Sequence, residues 1–142
     1  MKYLSGIHAL NISCELNTCG DWHRSALNWT SLAQKMKDSR KSVFGDYGIE
    51  MNKTLNFLND SPTMNVANHI RACLDLLAEG NFGLVQGMNR EFIANEKYDL
   101  EIFNKVMLLK NDPNWKNIDQ FMGKEYKMKW LKYKEKHHDQ FE

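Results

Sequence analysis

Pro62-Thr63-Met64-Asn65-Val66-Ala67-Asn68-His69-Ile70-Arg71-Ala72-Cys73-Leu74-Asp75-Leu76-Leu77-Ala78-Glu79-Gly80 is the most strongly patterned stretch of the chain. Val66, Ile70, Cys73, Leu74 and Leu77 fall at i, i+4, i+7, i+8 and i+11, the spacing of one buried helix face. Ser61 reads as a cap, and Pro62 suits a first helical position, where its missing N–H costs nothing. Gly80 reads as the left-handed residue that stops the helix. The pattern predicts a helix over 62–79. Cys73 lies on its buried stripe and reads as a small core hydrophobe, because free cysteine is commonly buried. His69 lies beside the stripe and is expected to be partly exposed.

Toward the C-terminus two further helices are predicted. Leu100, Phe103, Val106 and Met107 set one over 97–110, which Pro113 prevents from continuing. Trp115, Ile118, Met122, Tyr126, Trp130 and Tyr133 set another from about Asn114 to Lys136, with Gly123 a weak point within it. Between these and the opening stretch, 81–95 is ambiguous, since Gly83 and Gly87 weaken a helix that Leu84, Val85, Met88 and Phe92 would suit. The tail, 137–142, is expected to fray.

Toward the N-terminus, Tyr3 to Ile12 reads as a short strand containing His8. A loop, Cys14-Glu15-Leu16-Asn17-Thr18-Cys19-Gly20-Asp21-Trp22-His23, follows it. Asp21 is placed to cap a helix over 22–37 whose stripe would be Trp22, Ala26, Trp29, Ala33 and Met36. A tight turn or small hairpin is expected over 43–49, and 51–58 is open between helix and strand. The fold class this predicts is α+β, predominantly α-helical. A short N-terminal strand element precedes a four- to five-helix bundle in a single globular domain, 1–142.

The chain has 142 residues, 42% hydrophobic and 11% aromatic, enough for a core in one domain. Lys and Arg number 19 against 18 Asp and Glu, so the net charge of +1 gives no basic excess of the kind that marks nucleic-acid binders. The mean hydropathy is −0.61, and no run approaches the roughly 18 apolar residues of a membrane span. The first residues lack the apolar core of a signal peptide. Three cysteines, an odd number, fit reduced thiols in a cytoplasmic protein.

Three constellations carry chemistry. The first is a nucleophilic thiol. Cys19, near the positive end of the expected helix, would be the nucleophile, with His23 or His8 as base and Asp21 or Asp46 orienting it, for acyl transfer or thiol-dependent hydrolysis. The plainer reading of each is local: Asp21 a cap, His8 bonded to a nearby carbonyl. The second is metal. Cys14, Cys19, His23 and His8 offer two thiolates and two imidazoles, a zinc-like set, although Cys-x4-Cys-x3-His is not a standard zinc spacing. Zinc is the one cofactor the residues suggest, and nothing requires it. The third is a C-terminal surface of Lys127, Trp130 and Lys134, where lysines would meet phosphate and the indole would stack on a base or grip a partner. An ordinary amphipathic helix explains the same pattern.

No constellation is a complete catalytic signature, so an enzyme is not the favoured reading. Four Trp, five Tyr and eight Met are generous for this length. Such residues are over-used where one protein grips another. The expectation is therefore a small cytosolic protein-interaction module with a protein partner, an inhibitor or antitoxin of bacterial style. The Cys/His site is the alternative and nucleic-acid binding the third.

Overall fold

The computed structural model describes residues 1–137. The remaining tail, 138–142, lies outside the described residues, and the fraying expected there with it. The chain is α+β and predominantly helical, with an N-terminal strand ahead of the helices.

Strand β1, Lys2–Tyr3, pairs antiparallel with β2, Lys37–Asp38. Leu4 then runs alongside Val66 and Ala67. Its N–H donates to the Asn65 carbonyl at 2.9 Å, and its carbonyl accepts from the Ala67 N–H at 2.8 Å. The strand ends there. Gly6, at φ 64°, turns the chain into helix α1, Gly6–Leu10. The segment Tyr3 to Ile12 is thus the end of a two-residue strand followed by a five-residue helix, not one strand. A Cβ on Gly6 would meet Leu76 at 3.5 Å, so α1 lies close against the central helix.

That central helix is α3, His69–Glu79. It begins seven residues later than the sequence pattern predicts. Thr63–Ala67 instead forms strand β4, paired antiparallel with β3, Ile49–Thr54, across an irregularity between Glu50 and Lys53. Thr63 and Val66 are β-branched and pack well on a pleated surface, which outweighs the helical spacing of Val66. Asn68, not Ser61, is the cap: its side-chain oxygen accepts from the Arg71 N–H at 2.8 Å. Gly80 ends the helix at φ 78°, as expected. The N–H groups of Gly80 and Asn81 return to the carbonyls of Leu77 and Leu76. Helix α3 is buried on nearly every side, including Arg71 and Asp75.

The predicted helix over 22–37 does not form. Residues 22–31 are irregular apart from a 3-10 turn at Arg24–Ala26, and a four-residue helix α2, Leu32–Lys35, follows. Trp22 is 83% exposed. Asp21 is no cap, because its carboxylate is taken by Asn11, His23 and the adjacent Trp22 N–H.

The C-terminal part matches the sequence pattern more closely. After a short helix α4, Phe82–Val85, and a π-helical turn at Met88–Ile93, helix α5 spans Asp99–Val106. It continues as a 3-10 turn through Leu109, and Leu100 faces outward rather than joining the stripe. The last predicted helix is two, α6, Trp115–Tyr126, and α7, Met128–Lys136. The break falls at Lys127, φ 55° and ψ −128°, not at Gly123. The stripe survives it: Ile118, Met122, Tyr126, Trp130 and Tyr133 are all buried. The Phe103 ring meets Tyr126, Trp130 and Tyr133 at centroid distances of 4.9, 5.3 and 5.3 Å. Such pairs add about 0.5–1.5 kcal/mol each beyond their buried area.

Candidate active site

The loop 14–23 crosses the start of α3. The Gly20 N–H donates to the Phe92 carbonyl at 2.7 Å, and the Asp21 N–H donates to the Leu10 carbonyl at 2.8 Å. Gly20 sits at φ 69°, and a Cβ there would lie 2.7 Å from both the His69 ring and the Leu10 carbonyl oxygen. The loop therefore passes so close over His69 that only glycine fits.

His69 is 3% exposed, not partly exposed as its place beside the stripe suggests. Its Nε2 lies 2.8 Å from the Ile12 carbonyl oxygen. A carbonyl only accepts, so Nε2 carries the proton and Nδ1 is the basic nitrogen of the neutral ring. Nδ1 lies 2.7 Å from the Thr18 hydroxyl. That hydroxyl lies 3.5 Å from Cys14 Sγ, so Thr18 links the His69 ring to the sulfur. Burial pushes the Cys14 thiol up, but hydrogen bonds from His69 and Thr18 outweigh it and hold the thiol below its ordinary value. For His69, burial favours the neutral ring, while Cys14, the Ile12 carbonyl and Glu50 favour the imidazolium and bring its pKa above the ordinary value. The two shifts point the same way, toward a thiolate beside an imidazolium.

The pair opens onto a cavity of about 320 Å³ whose wall includes Cys14, Cys19, Asp21, Trp22, Arg24 and His69. A larger cavity, about 720 Å³, lies against β1 and β2. Its wall holds lysines and carboxylates that offset each other, as in the Lys37–Glu79 ion pair, and the Tyr3 hydroxyl bonded to Asp75.

The residues singled out from the sequence fall into separate groups. Asp21 and His23 meet: Asp21 Oδ1 is 2.6 Å from His23 Nδ1, and Asn11 Nδ2 donates to Asp21 Oδ2 at 3.1 Å. Burial raises the Asp21 carboxyl, but bonds from His23, Asn11 and the Trp22 N–H outweigh it and bring it below its ordinary value. The His23 side chain is 76% exposed. His8 is elsewhere, its Nε2 2.8 Å from the Asn28 carbonyl oxygen and its ring edge-on to Trp29. Cys19 is exposed in the cavity wall, and among the described residues no hydrogen bond joins it to a histidine. Among the described residues no three His, Cys, Asp or Glu side chains gather to hold a metal ion, so Cys14, Cys19, His23 and His8 do not form a ligand set. Trp130 is fully buried, and its Nε1–H donates to Asp119 Oδ1 at 2.8 Å. Burial removes it as a stacking or gripping surface. Lys134 pairs with the same carboxylate at 2.7 Å, and Lys127 is exposed at the helix break.

Sequence reasoning missed His69 and Thr18 as site residues and gave Cys14 only a metal role. One signal was available: Asn68 ahead of an apolar run marks a helix start, which puts His69 in the first turn.

Comparison of the chain with family models, with curated proteins and with solved structures finds no match in any of the three.

Proposed function

We propose that the chain is a thiol-dependent enzyme of acyl transfer or hydrolysis, with Cys14 as nucleophile and His69 as its base. The observation that carries this reading is the Cys14–Thr18–His69 array, drawn together from positions 14 and 69 and open to a cavity. Nucleophile, base and a group that orients the base are the three parts such a site needs. Here the orienting group is the Ile12 carbonyl. The Cys14 thiolate would attack an activated acyl carbon, and His69 would protonate the leaving group. His69 would then take a proton from the water that releases the acid. A cavity of about 320 Å³ favours a small acyl group. A cytoplasmic setting would keep the thiol reduced.

Acylation by p-nitrophenyl acetate tests this. The expected result is a burst of nitrophenol with one acetyl group on Cys14, abolished in C14S and slowed roughly 10²-fold or more in H69Q. Acetylation of Cys19 in place of Cys14 would overturn it.

A second reading keeps the chain as a binding module, an inhibitor or antitoxin that docks on a protein partner. Its support is Trp22, 83% exposed on the wall of the same cavity, a large apolar ring at a surface where aromatic residues anchor partners. A bound partner released by W22A, with the circular dichroism unchanged, is the outcome this reading requires.

A further inference from the structure

Two of the three cysteines share one cavity, and the third is shut away from it. Cys14 and Cys19 both line the 320 Å³ cleft beside His69. Cys73 is fully buried in α3, where burial first and the Glu125 charge second raise its thiol far above the ordinary value. Cys14 is half-buried and hydrogen-bonded, while Cys19 is exposed. This is the asymmetry of an attacking thiol and a resolving thiol. The residues between them lie in neither helix nor strand, so closure shifts the hydrogen bonds of Asn17 to Tyr98 and Asn95 and of Thr18 to His69 but unwinds no element. A disulfide needs their Cα atoms within about 7 Å. Four residues separate them, and both line the same cleft.

We propose that Cys14 and Cys19 are a redox pair that reacts with a hydroperoxide and closes to an intramolecular disulfide. This rests on the reading of Cys14 as an activated nucleophile. The Cys14 thiolate attacks the distal oxygen of the hydroperoxide and the O–O bond breaks. Sulfur is oxidised to the sulfenic acid as the peroxide is reduced to an alcohol, or to water from hydrogen peroxide. The imidazolium of His69 supplies the proton to the departing oxygen. The Cys19 thiol then attacks the sulfenic sulfur, the S–O bond breaks, and its own proton leaves with the hydroxyl as water. An external dithiol restores both thiols by exchange, entering at the exposed Cys19 sulfur.

The experiment exposes the full chain to stoichiometric hydrogen peroxide and maps thiols by non-reducing mass spectrometry, with iodoacetamide labelling rates measured in parallel. The expected result is a Cys14–Cys19 linkage, with Cys73 still free and the bond reversed by dithiothreitol. C19S should stop at a Cys14 sulfenic acid that dimedone traps, and H69Q should slow the oxidation roughly tenfold or more. Fast labelling of Cys14 with no linkage, or with only intermolecular disulfides through Cys19, overturns the redox pair and leaves the nucleophile standing. Labelling of Cys14 no faster than Cys19 overturns both.

Discussion

Arg71 and His69 sit two residues apart at the start of α3, both almost wholly buried and both bonded to main-chain carbonyls. Their surroundings differ in one respect. Arg71 is closed in on every side. Its nitrogens donate to Asp75 at 3.0 Å, to the Gly45 and Tyr47 carbonyls at 2.7 and 2.5 Å, and to the Tyr3 hydroxyl at 2.8 Å. Asp75 in turn accepts from Tyr3 and Ser5, each at 2.7 Å. Burial and the Asp75 charge raise the Tyr3 phenol, so it stays a donor across the whole working range of pH. Every group in this network is answered by another, including Tyr3 and Asp75 where they line the 720 Å³ cavity, and it ties β1, the turn after β2 and α3 together. His69 has the same depth but a different neighbour: a half-buried sulfur with a cavity beyond it. A buried polar network with all partners inside holds a fold together. On the proposed reading of Cys14, one that ends in a thiol lining a cavity has capacity left for a substrate.

The sharpest way to break this comparison is to remove one partner from each network. Arg71→Met should cost about 3–5 kcal/mol, because it leaves Asp75 buried and unpaired. Urea denaturation reads this directly, and a loss below about 1 kcal/mol would mean the network is not structural. Gly20→Ala comes next. The new Cβ meets the His69 ring and the backbone is already in the left-handed region, so stability should fall by about 1–3 kcal/mol. Cys14 labelling should slow with it, which a purely structural glycine would not cause.

His69→Gln should cost less in stability, about 1–2 kcal/mol for the lost buried bonds, yet change the chemistry most. Thiolate grows as pH rises through the thiol pKa. A lowered pKa therefore puts the half-point of Cys14 labelling below the ordinary thiol range near 8.5. Without the imidazolium that half-point should move upward. A profile unchanged in H69Q would detach His69 from the thiol. The smallest effect is Trp22→Ala, within about 0.5 kcal/mol, since the ring is exposed.

How much of this was legible depends on where the information lies. The aromatic stripe of α6 and α7 was readable because its periodicity is local and its packing follows from it: Ile118, Met122, Tyr126, Trp130 and Tyr133 are all core. The stripe from Trp22 to Met36 has equally good spacing and forms no long helix. Helical spacing without a capping side chain and a surface to pack on does not make a helix, and here Asp21 spends its oxygens on Asn11 and His23. The start of α3 was misplaced because Val66 satisfies two periods at once, and only its pairing with Glu50 chooses the strand. For the candidate site, the sequence pointed to Cys19 in this loop, whereas the structure joins Cys14 through Thr18 to His69. Cys19 was judged by its distance along the chain from an expected helix, whereas the partner of Cys14 arrives from 55 residues away. That juxtaposition is a property of topology, and no short-range pattern contains it.

The Ile12 carbonyl gives the site an unusual genetics. Where a carboxylate or amide side chain orients a histidine, one codon can delete the orienter and report its worth. Here the orienting atom belongs to the main chain, and every amino acid supplies it. Saturation mutagenesis at position 12 would return side-chain packing effects and leave the carbonyl in place. Removing it takes chemistry outside the genetic code, such as a thioamide at Ile12 placed by semisynthesis, whose weaker acceptor would loosen the tautomer without changing a side chain.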